Sequence, residues 1–307
     1  MKNLLDEYVR KPKASILKLM KTGVFNTIAM KQGQQEMMTF SDNLICENLP
    51  NRENISVHFL TGKKYWYETA FCAYSLSKVS GRNIQLNLTD DGSIDNELKS
   101  KILNQFPNSK IKLKNDLDAK VNELLPESKY PNLRRRRTTL ILMKKLIDIH
   151  LGTEGFKLFL DSDMLFLKSP SAMLNWYDNP VGGFYTNDCL TAYGFPQKLM
   201  SELAGYTIHE RVNSGLTGIK SESIDWDKLE YWIEKLEKST GKTSYFLEQG
   251  LTAMILSGTD CTIGAESEYI VKPNKDQVLK NIGTLHHYVD SSKELYYRWA
   301  WKKVNGI

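Results

Sequence analysis

The chain has 307 residues, 41% hydrophobic and 25% charged, the profile of a globular protein able to bury a substantial core, not of a disordered or fibrous one. A net charge of +5, spread along the chain, suits an anionic ligand or a membrane surface and does not indicate nucleic acid. Cys46, Cys72, Cys189 and Cys261 have no metal or redox spacing, no apolar run approaches the ~20 residues that span a bilayer, and "MKNLLDEYVRKPKAS" lacks a signal-like core. The expectation is a reduced, cytoplasmic protein, peripheral at the inner membrane face if it attaches there at all.

Residues 1–53 read as a helical extension. In "KASILKLMKTGVF", Ile16, Leu17, Met20 and Val24 recur at helical spacing with lysines opposite, which suits packing on the main domain or lying on a membrane. "NISVHFLTG" is a β-rich run stopped by Gly62, and "YWYETAFCAYSLSKVSG" is a helix stopped by Gly81. "NIQLNLTDDG" is a second strand, "SIDNELKSKILNQF" a second helix and "SKIKL" a third strand. "RRRRTTLILMKKLIDIHLG" reads as one helix leading into the strand of "KLFLDSDMLFLKSP", with Ser169 and Pro170 opening the next helix. "VGGFYT" and "RVNSGLTGIK" read as strands. "DWDKLEYWIEKLEKSTG" puts Leu229, Trp232, Ile233 and Leu236 on one helical face. This alternation predicts an α/β fold with a mostly parallel central sheet flanked by helices, and ligands in such sheets bind beyond the carboxyl ends of the strands. The simplest division is the extension, a domain over 54–290 and a basic aromatic tail over 291–307.

Two acidic turns fall at strand ends, Asp90 with Asp91 and Asp161 with Asp163. Two carboxylates between apolar runs are costly without a partner, and hard oxygen donors in a cleft suit Mg²⁺ or Mn²⁺; D-x-D is also common by chance. "TLHHYVDSSK" offers His286, His287 and Lys293: an imidazole can complete such a site and a lysine can neutralise diphosphate oxygens, although His286 reads better as a surface residue. The run Arg134 to Arg137 is usually a solvated face, but here it precedes the acidic strand, so one arginine, Arg137, is a candidate diphosphate contact. Tyr65 and Trp66 follow the first strand; Tyr65 is placed to stack on a base, and Trp66 equally to pack the helix. The tail "ELYYRWAWKKVNGI" suits a membrane interface or a segment folded over the cleft.

The order of "LDSD", "VNSGL", "EQGLTA" and "HHYVDSSK" resembles the GT-A glycosyltransferases, most of all the retaining family 8 group of glycogenin and the lipopolysaccharide galactosyltransferases, from about Ile55 to Lys293. The resemblance implies a Rossmann-like nucleotide-diphospho-sugar transferase fold and a Mn²⁺ (or Mg²⁺) held by Asp161, Asp163 and His287. It also implies a UDP-sugar donor contacted by Thr61, Tyr65, Asp90, Arg137, Asp161, Ser162 and Lys293. Asn213, Glu248 and Gln249 would surround the reacting sugar carbon, with Gln249 stabilising the cationic centre in a retaining reaction and Glu248 the nominee for a general base in an inverting one. The chain departs from the family in "TGKKY", where an acidic residue is usual, in Gly250, in Asp290, and in Glu294 with Leu295 after the lysine. The acceptor would be a glycan, lipid or protein; a membrane surface and a second copy of the chain are further expected partners. Two readings compete, a sugar-nucleotide-forming nucleotidyltransferase, for which "TGKKYWYE" is a poor phosphate loop, and a non-enzymatic polyanion-binding α/β protein.

Overall fold

The computed structural model describes residues 24–304. The amphipathic segment proposed around Ile16, Leu17 and Met20 lies outside the described residues. Strand β1 (Asn54–Thr61) buries Ile55, Val57 and Phe59 completely, the alternation its sequence predicts. Helix α2 (Trp66–Ser80) follows and ends at Gly81, whose φ of 71° is the left-handed conformation that stops helices. Strand β2 (Asn83–Asp90) leads to α3 (Asn96–Gln105), where the Asp95 side chain accepts the Leu98 N–H as an N-cap. Then come β3 (Lys110–Lys112) and a helix not foreseen in the sequence, α4 (Lys114–Leu124).

The single helix expected over "RRRRTTLILMKKLIDIHLG" is two, α5 (Pro131–Thr139) and α6 (Met143–His150). Thr138 and Thr139 donate their hydroxyls to the carbonyls of Arg134 and Arg135, competing with continued helix, and Leu140 turns extended at φ −126° and ψ 99°. This break sends the arginines and the lysines of the run to different places.

Among the described residues seven strands form one sheet in the order β3-β2-β1-β4-β7-β6-β8, with β4 (Phe156–Leu160), β6 (Gly183–Asn187), β7 (Val212–Lys220) and β8 (Cys261–Gly264). All neighbouring pairs run parallel except those of β7, which is antiparallel to β4 and β6. β1 has β2 on one side and β4 on the other, so the strand order reverses there, the place where open α/β sheets bind ligands. A second sheet joins β5 (Met164–Phe166), β10 (Leu285–His287) and β9 (Tyr269–Val271), with β10 antiparallel to β5 and parallel to β9. Its register sets Met164 opposite His287, which brings the carboxyl end of the chain beside the acidic turn.

Helices α7 (Ser171–Asp178), α8 (Gln197–Ala204), α9 (Trp226–Thr240), α10 (Leu247–Ser257) and α11 (Lys275–Lys280) complete the layers. α9 buries Leu229, Trp232, Ile233 and Leu236, the face its spacing predicts. The N-terminal helix α1 (Val24–Ser41) and the C-terminal helical segment (Lys293–Leu295, a π turn over Tyr296–Ala300, and Trp301–Val304) share one hydrophobic cluster with β1 and α2, through Met37, Tyr296, Ala300 and Trp301. Gly33 allows the closest approach: a Cβ there would meet the Tyr297 carbonyl oxygen at 2.1 Å. The aromatic tail residues Tyr296, Tyr297 and Trp301 are thus buried against the domain.

A candidate metal and diphosphate site

A cavity of about 640 Å³ opens at the carboxyl ends of β1 and β4. Its floor is the acidic turn. Asp161 leaves β4 with its N–H bonded to the Gly215 carbonyl at 2.6 Å, and the Asp163 carbonyl accepts the Tyr288 N–H at 2.8 Å. The two sheets therefore fix the two aspartates from opposite sides. His287 Nε2 lies 3.2 Å from Asp163 Oδ1 and 3.7 Å from Asp161 Oδ2, and one ligand atom from each of the three falls within 4.8 Å of the others. Although burial works the other way, the Asp163 and Asp161 carboxylates raise the imidazole above its ordinary pKa. Against the same opposition, Lys293 and His287 hold the Asp163 carboxyl well below the usual range.

Two carboxylates and an imidazole match the donor chemistry of Mn²⁺ or Mg²⁺. Gly215 keeps the space among them open, since an added Cβ would stand 2.5 Å from His287 Cε1, 2.7 Å from Asp161 Oδ2 and 2.8 Å from Asn213 Oδ1. The residues fit a small divalent cation.

Cations flank the acidic group. Lys293 Nζ is 2.8 Å from Asp163 Oδ2 and 3.3 Å from Glu68 Oε2. On the other side Lys145, from α6, lies 3.1 Å from Asp161 Oδ1, 3.5 Å from Glu248 Oε2 and over the Phe159 ring. Burial disfavours its charge, but Asp161 and Glu248 more than compensate and raise its pKa. Sequence reasoning passed over Lys145; the signal was "MKK" opening the helix that feeds the acidic strand, masked by the louder arginine run.

Of the other predicted residues, Asn213, Glu248, Gln249, Tyr65, Ser162 and Lys293 all line the cavity. Asn213 stands 3.2 Å from His287 Nδ1 and accepts the Gly215 N–H at 2.7 Å. Glu248 is buried with both oxygens engaged, by Thr252 at 3.0 Å and Ser214 at 2.9 Å, and burial raises its pKa despite Lys145. Gln249 donates its amide N–H groups to Asp188 and to the Val212 carbonyl, both at 3.0 Å. Because both neighbours are acceptors, the tethered atom is the amide nitrogen. Tyr65 is 40% exposed at the rim, whereas Trp66 is buried and donates to Gln105 at 2.8 Å.

Thr61 sits one step back: it hydrogen-bonds with Thr69 at 2.7 Å, and Thr69 does so with Ser162 at 2.7 Å. Two expected contacts fall elsewhere. Arg137 is not in the cavity wall but joins α5 to α6 and α4 through Asp148 at 2.9 Å and Asp118 at 2.7 Å, because the helix break turns it away. Asp90 is buried, its oxygens accepting the N–H groups of Gly92, Ser93, Ile94 and Lys114, so it shapes the turn while Asp91 lines the cavity. His286, expected at the surface, is fully buried and bonds Tyr288 and the Ile282 carbonyl.

Fold and site together define a GT-A architecture with an acidic strand end at the switch point of its sheet. No protein-family model matches the chain, and no curated protein matches it significantly. Among solved structures it is similar to the galactosyltransferase LgtC in complex with donor and acceptor sugar analogues, with a TM-score of 0.54 at 14% identity over 82% of this chain and 94% of that one. It is also similar to mouse xyloside xylosyltransferase 1, with a TM-score of 0.51 at 10% identity over 76% of this chain and 97% of that one. Identities this low speak to the fold. Among the described residues no helix is long and apolar enough to cross a membrane.

Proposed function

We propose that the protein is a metal-dependent glycosyltransferase that moves a sugar from a nucleotide-diphosphate sugar, UDP-sugars first, to a glycan, lipid or protein acceptor with retention at the transferred carbon. The observation that carries this reading is the grouping of Asp161, Asp163 and His287 at the switch point of the sheet, flanked by the buried Lys145 and the half-buried Lys293. Asp161, Asp163 and His287 would hold Mn²⁺ or Mg²⁺, which when bound supplies electrostatic stabilisation of a leaving diphosphate. Lys293 would add positive charge at the diphosphate, and Lys145 would do so at the sugar side of Asp161. Tyr65 would stack on the base. The Gln249 oxygen, its amide nitrogen tethered to Asp188, would face the developing cationic centre without acting as a strong nucleophile.

Glu248 suits a general base poorly, since both oxygens are already occupied. That favours retention over inversion. The acceptor would approach over the rim of Ile141, Leu190, Tyr245 and Phe246, which are exposed at the cavity mouth. Attachment at a membrane face through the basic terminal segments belongs to the same proposal, as does self-association.

Calorimetry with UDP, with and without Mn²⁺, tests the reading. Metal-dependent binding that Asp163→Ala abolishes is expected. Equal binding without metal, or no binding of any nucleotide, would overturn it.

A further inference from the structure

Lys293 is shared by two carboxylates that differ in kind. Asp163 belongs to the cation-binding group and would give its charge to a metal. Glu68, on α2, is 1% exposed and stands outside that group. One of its oxygens, Oε1, accepts from the Tyr67 hydroxyl at 3.0 Å and from the Tyr297 hydroxyl; the other, Oε2, faces Lys293 Nζ at 3.3 Å. Tyr67 is itself held by the Gln34 amide of α1 at 2.7 Å, and Tyr297 belongs to the π turn against which Gly33 packs. The carboxylate is therefore locked from three elements, α1, α2 and the C-terminal segment.

A buried negative charge beside a site meant for a diphosphate needs a reason, because it opposes the ligand. The reason lies in what happens to Lys293 when a cation occupies the acidic group. The ammonium would then share the Asp163 carboxylate with the cation and face like charge nearby. With Asp163 as its sole anchor, the flexible side chain would either compete with the metal or swing to solvent.

We propose that Glu68 is the positioning residue that holds Lys293 in the cavity wall when Asp163 is engaged by a cation, so that metal and lysine occupy the site together. This rests on the metal-site reading above, and the experiment separates the two. In metal-free protein, Lys293 reactivity toward reductive methylation, read at that residue by mass spectrometry, reports whether it stays tethered. Asp163→Asn removes the charge a metal would take. Lys293 should then remain within about 2-fold of the unaltered protein, while Asp163→Asn combined with Glu68→Gln should label at least about 10-fold faster. Equal rates in the single Asp163→Asn variant and the double variant would overturn the proposal.

Direct Mn²⁺ titration provides the second readout. Glu68→Gln should weaken Mn²⁺ by about 10-fold, because Lys293 then rests on Asp163 alone; in a Lys293→Met background the same change should cost under about 3-fold. Equal losses in both backgrounds would show that Glu68 does not act through Lys293. Should Glu68→Gln fail to fold, Tyr297→Phe, which removes one of the two phenols fixing Glu68, gives the same pattern at smaller amplitude. A chain that binds no Mn²⁺ yet keeps the labelling pattern would discard the metal reading and retain the tether.

Discussion

Replacing Gly215 with alanine tests the open space at the centre of the site with a single methyl group. Gly215 lies in β7 and is not among the glycines with positive φ, so alanine fits its backbone. The added Cβ, however, would stand 2.5–2.8 Å from His287, Asp161 and Asn213, where ordinary contact begins at 3.4 Å. Those groups must retreat by about 0.6–0.9 Å, a typical small-to-large intrusion costing about 1–3 kcal/mol of stability. Metal sites tolerate far less, since ligand distances hold to about 0.2 Å. Two of the three displaced side chains, His287 and Asp161, are proposed ligands and the third touches one of them, so Mn²⁺ affinity should fall by at least the 10–100-fold typical of losing a hydrogen-bond partner behind a ligand, about 1.4–2.7 kcal/mol. Calorimetric Mn²⁺ titration reads the affinity, and urea unfolding reads the stability separately. Unchanged Mn²⁺ affinity in a folded Gly215→Ala protein would refute the argument that this gap accommodates the ion.

Lys145→Met should destabilise the protein by about 3 kcal/mol at pH 7, because it leaves buried Glu248 and its neighbour Asp161 without their shared cation. Since burial already raises the Glu248 pKa, protonation should recover part of that loss near pH 5; urea midpoints at the two pH values check it, and an equal loss at both would count against the pairing. His150 is buried and held neutral, its pKa lowered to about 3 by burial and by Lys157 and Lys112. The unfolded chain binds that proton below about pH 6.5, so its contribution is full above 6.5 and lost as pH falls toward 3, at up to about 1.4 kcal/mol per pH unit. His58 is lowered in the same direction by burial and by His150 itself. Urea unfolding between pH 7 and 4.5 should show a shallower acid loss for His150→Gln than for the unaltered chain.

Much of the sheet was legible because its first half follows local rules. β1, α2, β2, α3 and β3 each carry a clean period and a stop, such as Gly81 after α2, and the acidic turn stands out as charge against apolar strand. His287 and Lys293, singled out by their spacing, both meet Asp163. Among the misses are α4, the burial of His286, and placements that depended on a direction change of one turn. The break after Thr139 separates Arg137, which becomes a brace, from Lys145, which enters the site, and no periodicity separates them. Asp90 and Asp91 differ by one residue at a strand end, where adjacent side chains point apart; both accept hydrogen bonds from the turn, and of the two only Asp91 lines the cavity.

The sequence by itself determined β1, β2, β3, β4, β6 and β7, the helices α2, α3 and α9, and where charge interrupts the core, because those depend on neighbours along the chain. Only the tertiary structure decided which charges meet. β5 and β10 are three residues each, too short to announce a pairing, yet their register joins Met164 to His287 across the chain and so completes the site. Glu68 reads locally as an ordinary helix residue; its burial beside two phenols and Lys293 exists only once α1 and the segment from Lys293 to Val304 have packed against α2.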